Sequence, residues 1–250
     1  MKKILVLGSS GLLGSELTSG KYLEKYKIIS QSLRSETDFN LDLENYYELI
    51  KMFEKVNPDI VINLVGFTDV DYCEKFPKKA YRLNAKTVEN LVYAIKECHS
   101  KSYLVHISTD QVYDSSGYCS EKNIRLSNYY SFSKYIGELI ASRTSSTILR
   151  TNFFGRSKTA NRSSLTDWLY YELKNGNTIN LFEDVCFNPI SMQNFCKIIE
   201  SVVEKKIQGI FNLGSNDGMS KADFAFNFAK FMNFSTSNMK CIKVSEANFL

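Results

Sequence analysis

Tyr130 and Lys134 are the residues whose types and spacing point most directly to catalysis. They are four residues apart in Tyr130-Ser-Phe-Ser-Lys134, and the apolar residues Ile136, Leu139 and Ile140 that follow predict a helix. This spacing places a phenol and an ammonium on one helix face, where the cation favours the phenolate and lowers the pKa of the tyrosine. The pair therefore predicts that Tyr130 is a proton donor and that Lys134 lowers its pKa. Taken alone, the motif also fits an ordinary surface pair.

A glycine-rich segment follows the first apolar run of the chain. It lies between a predicted strand at 4–7 and a predicted helix at 12–17. Glycines permit a tight turn and a close backbone approach, while N–H groups at a helix start face a pyrophosphate. We therefore predict dinucleotide binding rather than an incidental turn. The residues expected at the cofactor are Gly8, Ser10, Gly11, Leu12, Leu13 and Gly14.

The end of the second predicted strand bears on the choice of cofactor. It continues as Ser30-Gln-Ser32-Leu-Arg34, with no acid where NAD enzymes often hold the ribose 2′-hydroxyl. Ser32 and Arg34 offer a hydroxyl and a guanidinium to a 2′-phosphate instead. NADP(H) is therefore favoured as cofactor, and NAD(H) stays open because Arg34 could simply be solvated.

Strand-length apolar runs alternate with helical patterns over the first 150 or so residues. The predicted strands are 4–7, 26–29, 60–65, 103–107 and 147–149, and the predicted helices are 12–17, 46–53 and 80–98. Helices at 163–175, 191–204 and 220–232, with short strands at 178–182 and 210–213, follow. We expect an α/β fold: a Rossmann-like doubly wound parallel sheet with a small C-terminal substrate lobe. The expected domains are residues 1–155 for NAD(P) binding and residues 156–250 for substrate, partly interleaved.

Composition excludes several classes of function. The 250 residues carry a formal net charge of +4 with scattered basic residues, which does not indicate a nucleic-acid partner. The apolar runs are too short for a membrane span or a signal peptide, so no membrane partner and a cytoplasmic location are expected. Six cysteines without a CxxC pair, and only two histidines, predict no metal site.

Many placed motifs resemble the extended short-chain dehydrogenase/reductase superfamily, and within it the dTDP-4-dehydrorhamnose reductase family. The spacing GxxGxxG and the YxxxK pair carry the superfamily resemblance. The family resemblance continues through Leu41-Asp42-Leu43, Asn57-Pro-Asp-Ile-Val-Ile-Asn63, Gly66-Phe-Thr68-Asp-Val-Asp71, Asn84, Ser108-Thr109-Asp110-Gln-Val-Tyr113, Arg150-Thr151-Asn152 and Asn188-Pro189. It runs from Met1 to about Leu213.

The resemblance implies roles for particular residues. Thr109 and Tyr130 would hydrogen-bond the keto oxygen of the substrate, and Lys134 would bind the nicotinamide ribose. Asp42 and Leu43 would lie by the adenine and Gly66 along the cofactor, while Thr68, Asp110 and Asn152 would contact substrate. Simpler roles remain open: Asp42 as a charge at a helix start, Asn84 as a buried hydrogen-bonding residue, and Arg150 and Asn152 as structural residues at a strand end.

Two departures from related patterns refine the expected function. Sugar-nucleotide 4,6-dehydratases, which the chain also resembles, carry Asp-Glu after the catalytic threonine, whereas this chain has Asp110-Gln111. An amide cannot serve as the base that removes a C5 proton. The sequence also ends at Leu250, before the basic stretch that this family uses beside the nucleotide-sugar, so we expect a trimmed lobe or a truncated relative.

We therefore expect an NAD(P)H-dependent reductase of a nucleotide-activated 4-keto-6-deoxysugar, acting in surface-polysaccharide precursor synthesis. Its expected partner is the nucleotide-sugar substrate, and a homodimer is compatible with the resemblance. Two alternatives stay open: a sugar-nucleotide epimerase with tightly bound NAD, and a non-catalytic nucleotide-binding regulatory subunit.

Overall fold

The computed structural model describes residues 1–98, 101–115, 117–159 and 163–246. Its strands are β1 (Lys3–Leu7), β2 (Lys27–Ser32), β3 (Phe39–Asn40), β4 (Ile60–Asn63), β5 (Tyr103–Thr109), β6 (Ser146–Thr151), β7 (Phe153–Phe154), β8 (Ile179–Phe182), β9 (Cys186–Phe187), β10 (Ile190–Ser191), β11 (Gly209–Leu213), β12 (Met219–Ser220) and β13 (Met239–Ile242). Its helices are α1 (Leu12–Leu17), α2 (Tyr46–Val56), α3 (Val70–Lys75), α4 (Pro77–Tyr81), α5 (Thr87–Glu97), α6 (Tyr129–Ala141), α7 (Leu165–Lys174), α8 (Met192–Lys205) and α9 (Lys221–Phe231).

Seven strands form one sheet in the order β11-β6-β5-β4-β1-β2-β3. Every neighbouring pair is parallel. All residues of β4 and β5 are buried, as a parallel sheet covered on both faces requires. The predicted doubly wound parallel sheet is confirmed. Strands β2 and β4 lie on opposite sides of β1, and sheets with this strand order bind ligands beyond the carboxyl ends of the strands.

The main apolar core lies between this sheet and the helices α2, α5 and α6. One face of α5 is buried in that core and consists of Val88, Leu91, Val92 and Ile95, which are spaced as i, i+3, i+4 and i+7. At about 25 cal/mol per Å² of apolar area removed from water, such a face contributes several kcal/mol toward holding the helix on the sheet. The core therefore fixes where the ends of the strands and helices lie.

The sequence pattern predicts one regular helix over residues 80–98, but in the structure the α-helical geometry is interrupted. A π-helical turn, Arg82–Lys86, joins α4 to α5. Single π turns insert an extra residue into a helix and are frequent at functional sites. Asn84 lies in this turn and is almost completely buried. The side chain that the sequence marked as a buried hydrogen-bonding residue is thus directed inward by an irregularity that periodicity did not predict.

The chain divides into two compact units. The first contains Met1–Thr151 and Gln193–Leu213, and the second contains Asn152–Met192 and Gly214–Leu250. The segment at Gly209–Leu213 therefore extends the main sheet beside β6, although it follows residue 155 in sequence. The second unit has three two-stranded pairings, β10 with β7, β12 with β9 and β13 with β8. No helix within the described residues is both long and apolar enough to span a membrane.

Buried side chains of α7, α9 and the short strands form the core of the second unit. They include Leu169, Leu181, Phe187, Phe224 and Ala225. The phenyl rings of Phe187 and Phe224 meet edge to face, with centroids 5.4 Å apart. Both aromatics are core residues of the second unit, whereas Phe231 at the end of α9 is exposed.

Candidate active site

The predicted glycine turn lies at the carboxyl end of β1. Gly8 has φ +78°, a conformation that side-chain-bearing residues rarely adopt. A β-carbon on Gly14 would lie 2.5 Å from the carbonyl oxygen of Gly8, so only glycine lets α1 approach the turn this closely. The turn also packs on the segment after β4, because a β-carbon on Gly8 would meet the backbone N of Val65 at 3.2 Å.

Gln31 supports this turn from the neighbouring strand, a role that no motif in the sequence predicts. Its carbonyl oxygen accepts hydrogen bonds from the backbone N–H of Gly8 and of Ser9, both at 3.0 Å. Its side-chain Oε1 accepts from Gly8 at 3.2 Å, and Nε2 donates to the carbonyl of Leu41 at 2.8 Å. Gln31 therefore joins the glycine turn to the segment that carries Asp42 and Leu43, and its amide is occupied inside the protein.

The two residues proposed for a 2′-phosphate differ in their surroundings. Ser32 is buried, and its hydroxyl closes a turn by accepting from Ser35 N and donating to Ser35 O, each at 3.1 Å. Arg34 is exposed and forms no ion pair with the described residues. Arg34 is therefore the more available group. A cavity of about 430 Å³ is lined by Ser10 from the glycine turn and, beyond β2, by Ser35, Thr37 and Asp38.

The predicted adenine-side residues flank the start of α2. Asp42 is exposed, and its Oδ1 accepts from the backbone N–H of Glu44 at 2.9 Å in the loop before α2. The N-cap of α2 is Asn45 and the acid in its first turn is Glu48, so Asp42 is not the helix-start charge that was its simpler alternative. Leu43 is buried, and its carbonyl accepts from Asn90 Nδ2 at 2.9 Å. Both lie in the first unit, beyond the strand end that carries Ser32.

Thr109, Tyr130 and Lys134 come together where β5 ends beside α6. Thr109 is the last residue of β5, and its Oγ1 accepts from Gln111 N at 3.2 Å. A capping box of Asn128 and Ser131 starts α6, so Tyr130 and Lys134 stand in its first two turns. Lys134 Nζ donates to the carbonyl of Ile107 at 2.7 Å, which ties the helix to the strand.

The pKa of Tyr130 differs from the one that the sequence predicted. Burial raises the pKa of Tyr130 to about 12, the hydrogen bond with Thr109 acts in the opposite direction, and the charge of Asp110 adds to the rise. The prediction that Lys134 lowers the pKa of Tyr130 is wrong for this structure, because desolvation dominates and the ammonium is directed to Ile107. Burial also lowers the pKa of Lys134 to about 8, against the opposing charge of Glu138.

Asn84 organises the segment after β4. Its Oδ1 accepts from Phe67 N at 2.6 Å, and its Nδ2 donates to Phe67 O and to Ser133 Oγ, both at 2.9 Å. A β-carbon on Gly66 would lie 3.5 Å from Lys134 Nζ and 3.6 Å from Asn84 Oδ1. The exposed backbone of Gly66 thus lies beside the Lys134 ammonium.

The structure shows a buried ion pair that the sequence did not predict. Arg150 and Glu138 are both fully buried, and Arg150 Nη2 lies 2.5 Å from Glu138 Oε2. Arg150 Nη1 also donates to Tyr113 OH at 2.7 Å, and the Ser108 hydroxyl donates to Glu138 Oε1 at 2.5 Å. Arg150 therefore has the simpler role named for it above, that of a structural residue at a strand end. The only sequence signal for Glu138 is its position four residues after Lys134 on α6.

The predicted substrate residues are distributed over both units. Thr68 is exposed after β4, and Asp110 follows Thr109 in the 3-10 turn Asp110–Val112, half-buried. Asn152 is half-buried and belongs to the second unit, where its carbonyl accepts from Ile190 N at 3.0 Å.

The residues present fit a bound dinucleotide. An ammonium has three N–H donors, and within the described residues Lys134 Nζ, almost completely buried, makes one hydrogen bond. Its remaining donors lie beside the exposed backbone of Gly66, where ribose hydroxyls are suitable acceptors. Gly8 and Gly14 lack side chains in and beside the turn after β1, at the place where such folds bind pyrophosphate.

This strand order, with the glycine turn after β1 and the tyrosine–lysine pair on α6, defines a protein of the extended short-chain dehydrogenase/reductase type. Within that class, the profile of the family described as "RmlD substrate binding domain" matches residues 1–249. The chain belongs to this family, and the predicted resemblance is confirmed.

Named relatives agree with this placement. The chain is 25% identical over 232 residues to a protein named "Probable low-salt glycan biosynthesis reductase Agl14" of Haloferax volcanii, covering 88% of this chain and 76% of the relative. A crystal structure described as a hypothetical dTDP-4-dehydrorhamnose reductase from Sulfolobus tokodaii has a TM-score of 0.85 and 32% identity, covering 97% of this chain and 86% of the other. The dTDP-4-dehydrorhamnose reductase of Bacillus anthracis, crystallised in complex with NADP, has the same fold, with a TM-score of 0.87, 24% identity and coverages of 98% and 86%.

Proposed function

We propose that this protein is an NADPH-dependent reductase of a nucleotide-activated 4-keto-6-deoxysugar that serves as a polysaccharide or glycan precursor. The observation that carries the proposal is the buried group Thr109, Tyr130 and Lys134, which lies at the carboxyl edge of the sheet with the glycine turn. Membership of the RmlD substrate binding domain family, and the reductase names of the relatives, support the same substrate class.

In this reaction NADPH supplies a hydride to the keto carbon. The carbonyl oxygen gains negative charge as the C–H bond forms, and it must be held by donors and protonated. Tyr130 is neutral at physiological pH because burial raises its pKa to about 12, so its O–H proton is present for transfer to that oxygen. Thr109 contributes a second hydroxyl at the same place, and the 4-keto group becomes a hydroxyl, so the product is the nucleotide-activated 6-deoxysugar.

Lys134 has a binding role in the proposed site. Its ammonium is fixed by the carbonyl of Ile107 and lies beside Gly66, where it would hold the ribose next to the nicotinamide. With a pKa of about 8, Lys134 is mostly charged at pH 7 and loses its proton within the range in which enzymes are assayed.

The preference for NADPH rests on Arg34 and on Gln31. Arg34 is exposed beyond β2, and Gln31, which stands close to where NAD enzymes often carry an acid, has its amide occupied by Gly8 and Leu41. The Bacillus anthracis relative was crystallised with NADP. NADH remains a usable alternative in the proposal.

The decisive experiment is a panel of nucleotide-activated 4-keto-6-deoxysugars assayed for NADPH oxidation. The wild type should reduce at least one of them, and Tyr130→Phe should lower kcat by ~10² to 10⁴, because general acid catalysis contributes about that much. NADPH affinity should be nearly unchanged in Tyr130→Phe, since the hydroxyl is assigned to the substrate. Thr109→Val should likewise lower kcat with little effect on NADPH affinity.

Other results would favour other functions. Near-normal turnover by Tyr130→Phe would refute the catalytic assignment. Recovery of unreleased NAD with the purified protein, without net NADPH oxidation, would favour the epimerase. Nucleotide binding without turnover of any keto-sugar would favour a non-catalytic subunit. The cytoplasmic location and the homodimer are also proposals, to be tested by cell fractionation and by light scattering.

A further inference from the structure

We propose that Glu138 is a positioning residue that locks the strand end carrying Thr109 to the helix carrying Tyr130 and Lys134, and that it keeps Lys134 charged. The inference rests on the proposed function only for its catalytic consequence. Glu138 is completely buried and contacts Ser108 and Arg150. It therefore acts through its neighbours and not on the substrate.

The link to the strand is direct. The Ser108 hydroxyl donates to Glu138 Oε1 at 2.5 Å, and Ser108 immediately precedes Thr109 in β5. Glu138 stands one helical turn after Lys134 on α6. One carboxylate thus spans the interface between the two elements that supply the catalytic groups. A hydrogen bond to a charged group is stronger than one between neutral groups.

Arg150 neutralises Glu138 and extends the link to the segment after β5. Its Nε lies 3.0 Å from both carboxylate oxygens. Its Nη1 donates to the carbonyl of Glu121 at 2.8 Å and to Tyr113 OH at 2.7 Å. Tyr113 in turn donates to Asn212 Oδ1 at 2.6 Å. Arg150 therefore links Glu138 to the connection that follows Thr109, and Tyr113 extends this link to Asn212 of β11.

Glu138 also offsets the effect of burial on Lys134. Burial lowers the pKa of Lys134 to about 8, and the charge of Glu138 acts in the opposite direction. The other groups around the ammonium are the carbonyl of Ile107, the Asn84 amide near Gly66, and His106. Burial, and secondarily the charge of Lys134, lowers the pKa of His106 well below its usual range, so His106 stays neutral. Among the described residues, Glu138 is the carboxylate whose charge opposes the effect of burial on the pKa of Lys134.

The test measures Lys134 directly in the apoprotein. In protein labelled with ¹³C at lysine Cε, the Lys134 resonance is the one lost in Lys134→Arg, and its chemical shift is followed from pH 6 to 11. Glu138→Gln keeps the shape of the side chain and removes its charge, so the pKa of Lys134 should fall by about one unit. Glu97→Gln is the matched control, because Glu97 is an exposed carboxylate on α5 bound to Tyr46. It should leave the Lys134 titration unchanged.

A second variant separates the positional role from the electrostatic one. Ser108→Ala removes the link to β5 and keeps the charge, so the Lys134 pKa should stay at its wild-type value while kcat falls ~10-fold through misplacement of Thr109. The KM for NADPH should not change in Ser108→Ala. In Glu138→Gln the alkaline limb of the kcat/KM profile should move to lower pH together with the Lys134 titration.

The outcomes distinguish this inference from the proposed function. An unshifted Lys134 titration in Glu138→Gln would overturn the electrostatic role, whether or not a substrate is known. Unchanged kcat in Ser108→Ala would overturn the positional role, and this arm decides if Glu138→Gln does not fold. If the wild type reduces no keto-sugar, the proposed function fails while the titration still tests Glu138.

Discussion

Replacing Gly137 by alanine should destabilise the protein, although alanine is the better helix former. Gly137 lies inside α6, where alanine is favoured over glycine by about 1 kcal/mol on propensity alone. A β-carbon at this position would lie 2.4 Å from the carbonyl oxygen of Asn84, whereas ordinary contacts begin near 3.4 Å. The obstacle is backbone, which no rotamer change can move.

The magnitude follows from these opposed effects. To relieve the contact with the carbonyl of Asn84, helix α6 and the π turn at Arg82–Lys86 must move apart by about 1 Å. Overpacking of this kind typically costs about 1–3 kcal/mol. Because the contact is with a buried backbone atom, we take the upper part of that range. After subtraction of the propensity gain, the net loss is about 2 kcal/mol. For a chain of this size, such a loss lowers the midpoint of thermal unfolding by about 4–8 °C.

The same shift should reach the active site. Asn84 holds Phe67 and Ser133, and Ser133 immediately precedes Lys134. A displacement of α6 by about 1 Å should therefore lower kcat by ~10- to 100-fold.

Thermal unfolding and NADPH oxidation would be measured for Gly137→Ala beside Gly218→Ala. The β-carbon of the control variant would have only an ordinary contact, 3.5 Å from Phe187 O. The control should keep the wild-type midpoint. A Gly137→Ala protein as stable as the wild type, or more so, would refute the packing argument.

Three further predictions concern the cofactor and the reaction. Arg34→Ala should weaken NADPH binding by about 1–3 kcal/mol, which is the scale of a hydrogen bond to a charged group, and should leave NADH binding unchanged. Equal NADPH titration curves for the variant and the wild type would contradict this prediction. NADPH affinity should fall as the pH rises through about 8, because Lys134 then loses the proton that its ribose contact requires, and the Lys134→Met variant should lack this pH dependence. Given dTDP-glucose and NAD, the wild type should form no 4-keto-6-deoxy product, since Gln111 cannot act as a base; product formation at enzymatic rates would argue against the reductase.

The fold was predictable because its signals are local. Short apolar runs alternating with helical spacing define strands that must be covered on both faces, and the observed sheet follows from that requirement. The glycine turn and the tyrosine–lysine pair were predictable for the same reason, since each is a short motif whose neighbours along the chain define its context. Their placement at one edge follows from parallel strands, whose carboxyl ends meet there.

The sequence alone determined the α/β class, the glycine turn after β1 and the spacing of Tyr130 and Lys134 on one helix. Only the tertiary structure decided how those groups are supported and charged. Glu138 meets Ser108 and Arg150 across 30 and 12 residues of chain, and Gln31 reaches Gly8 across 23, so no local pattern could connect them. The high pKa of Tyr130 is likewise a tertiary property, because a pKa depends on how much water the fold removes from a group, and spacing along a helix does not contain that quantity.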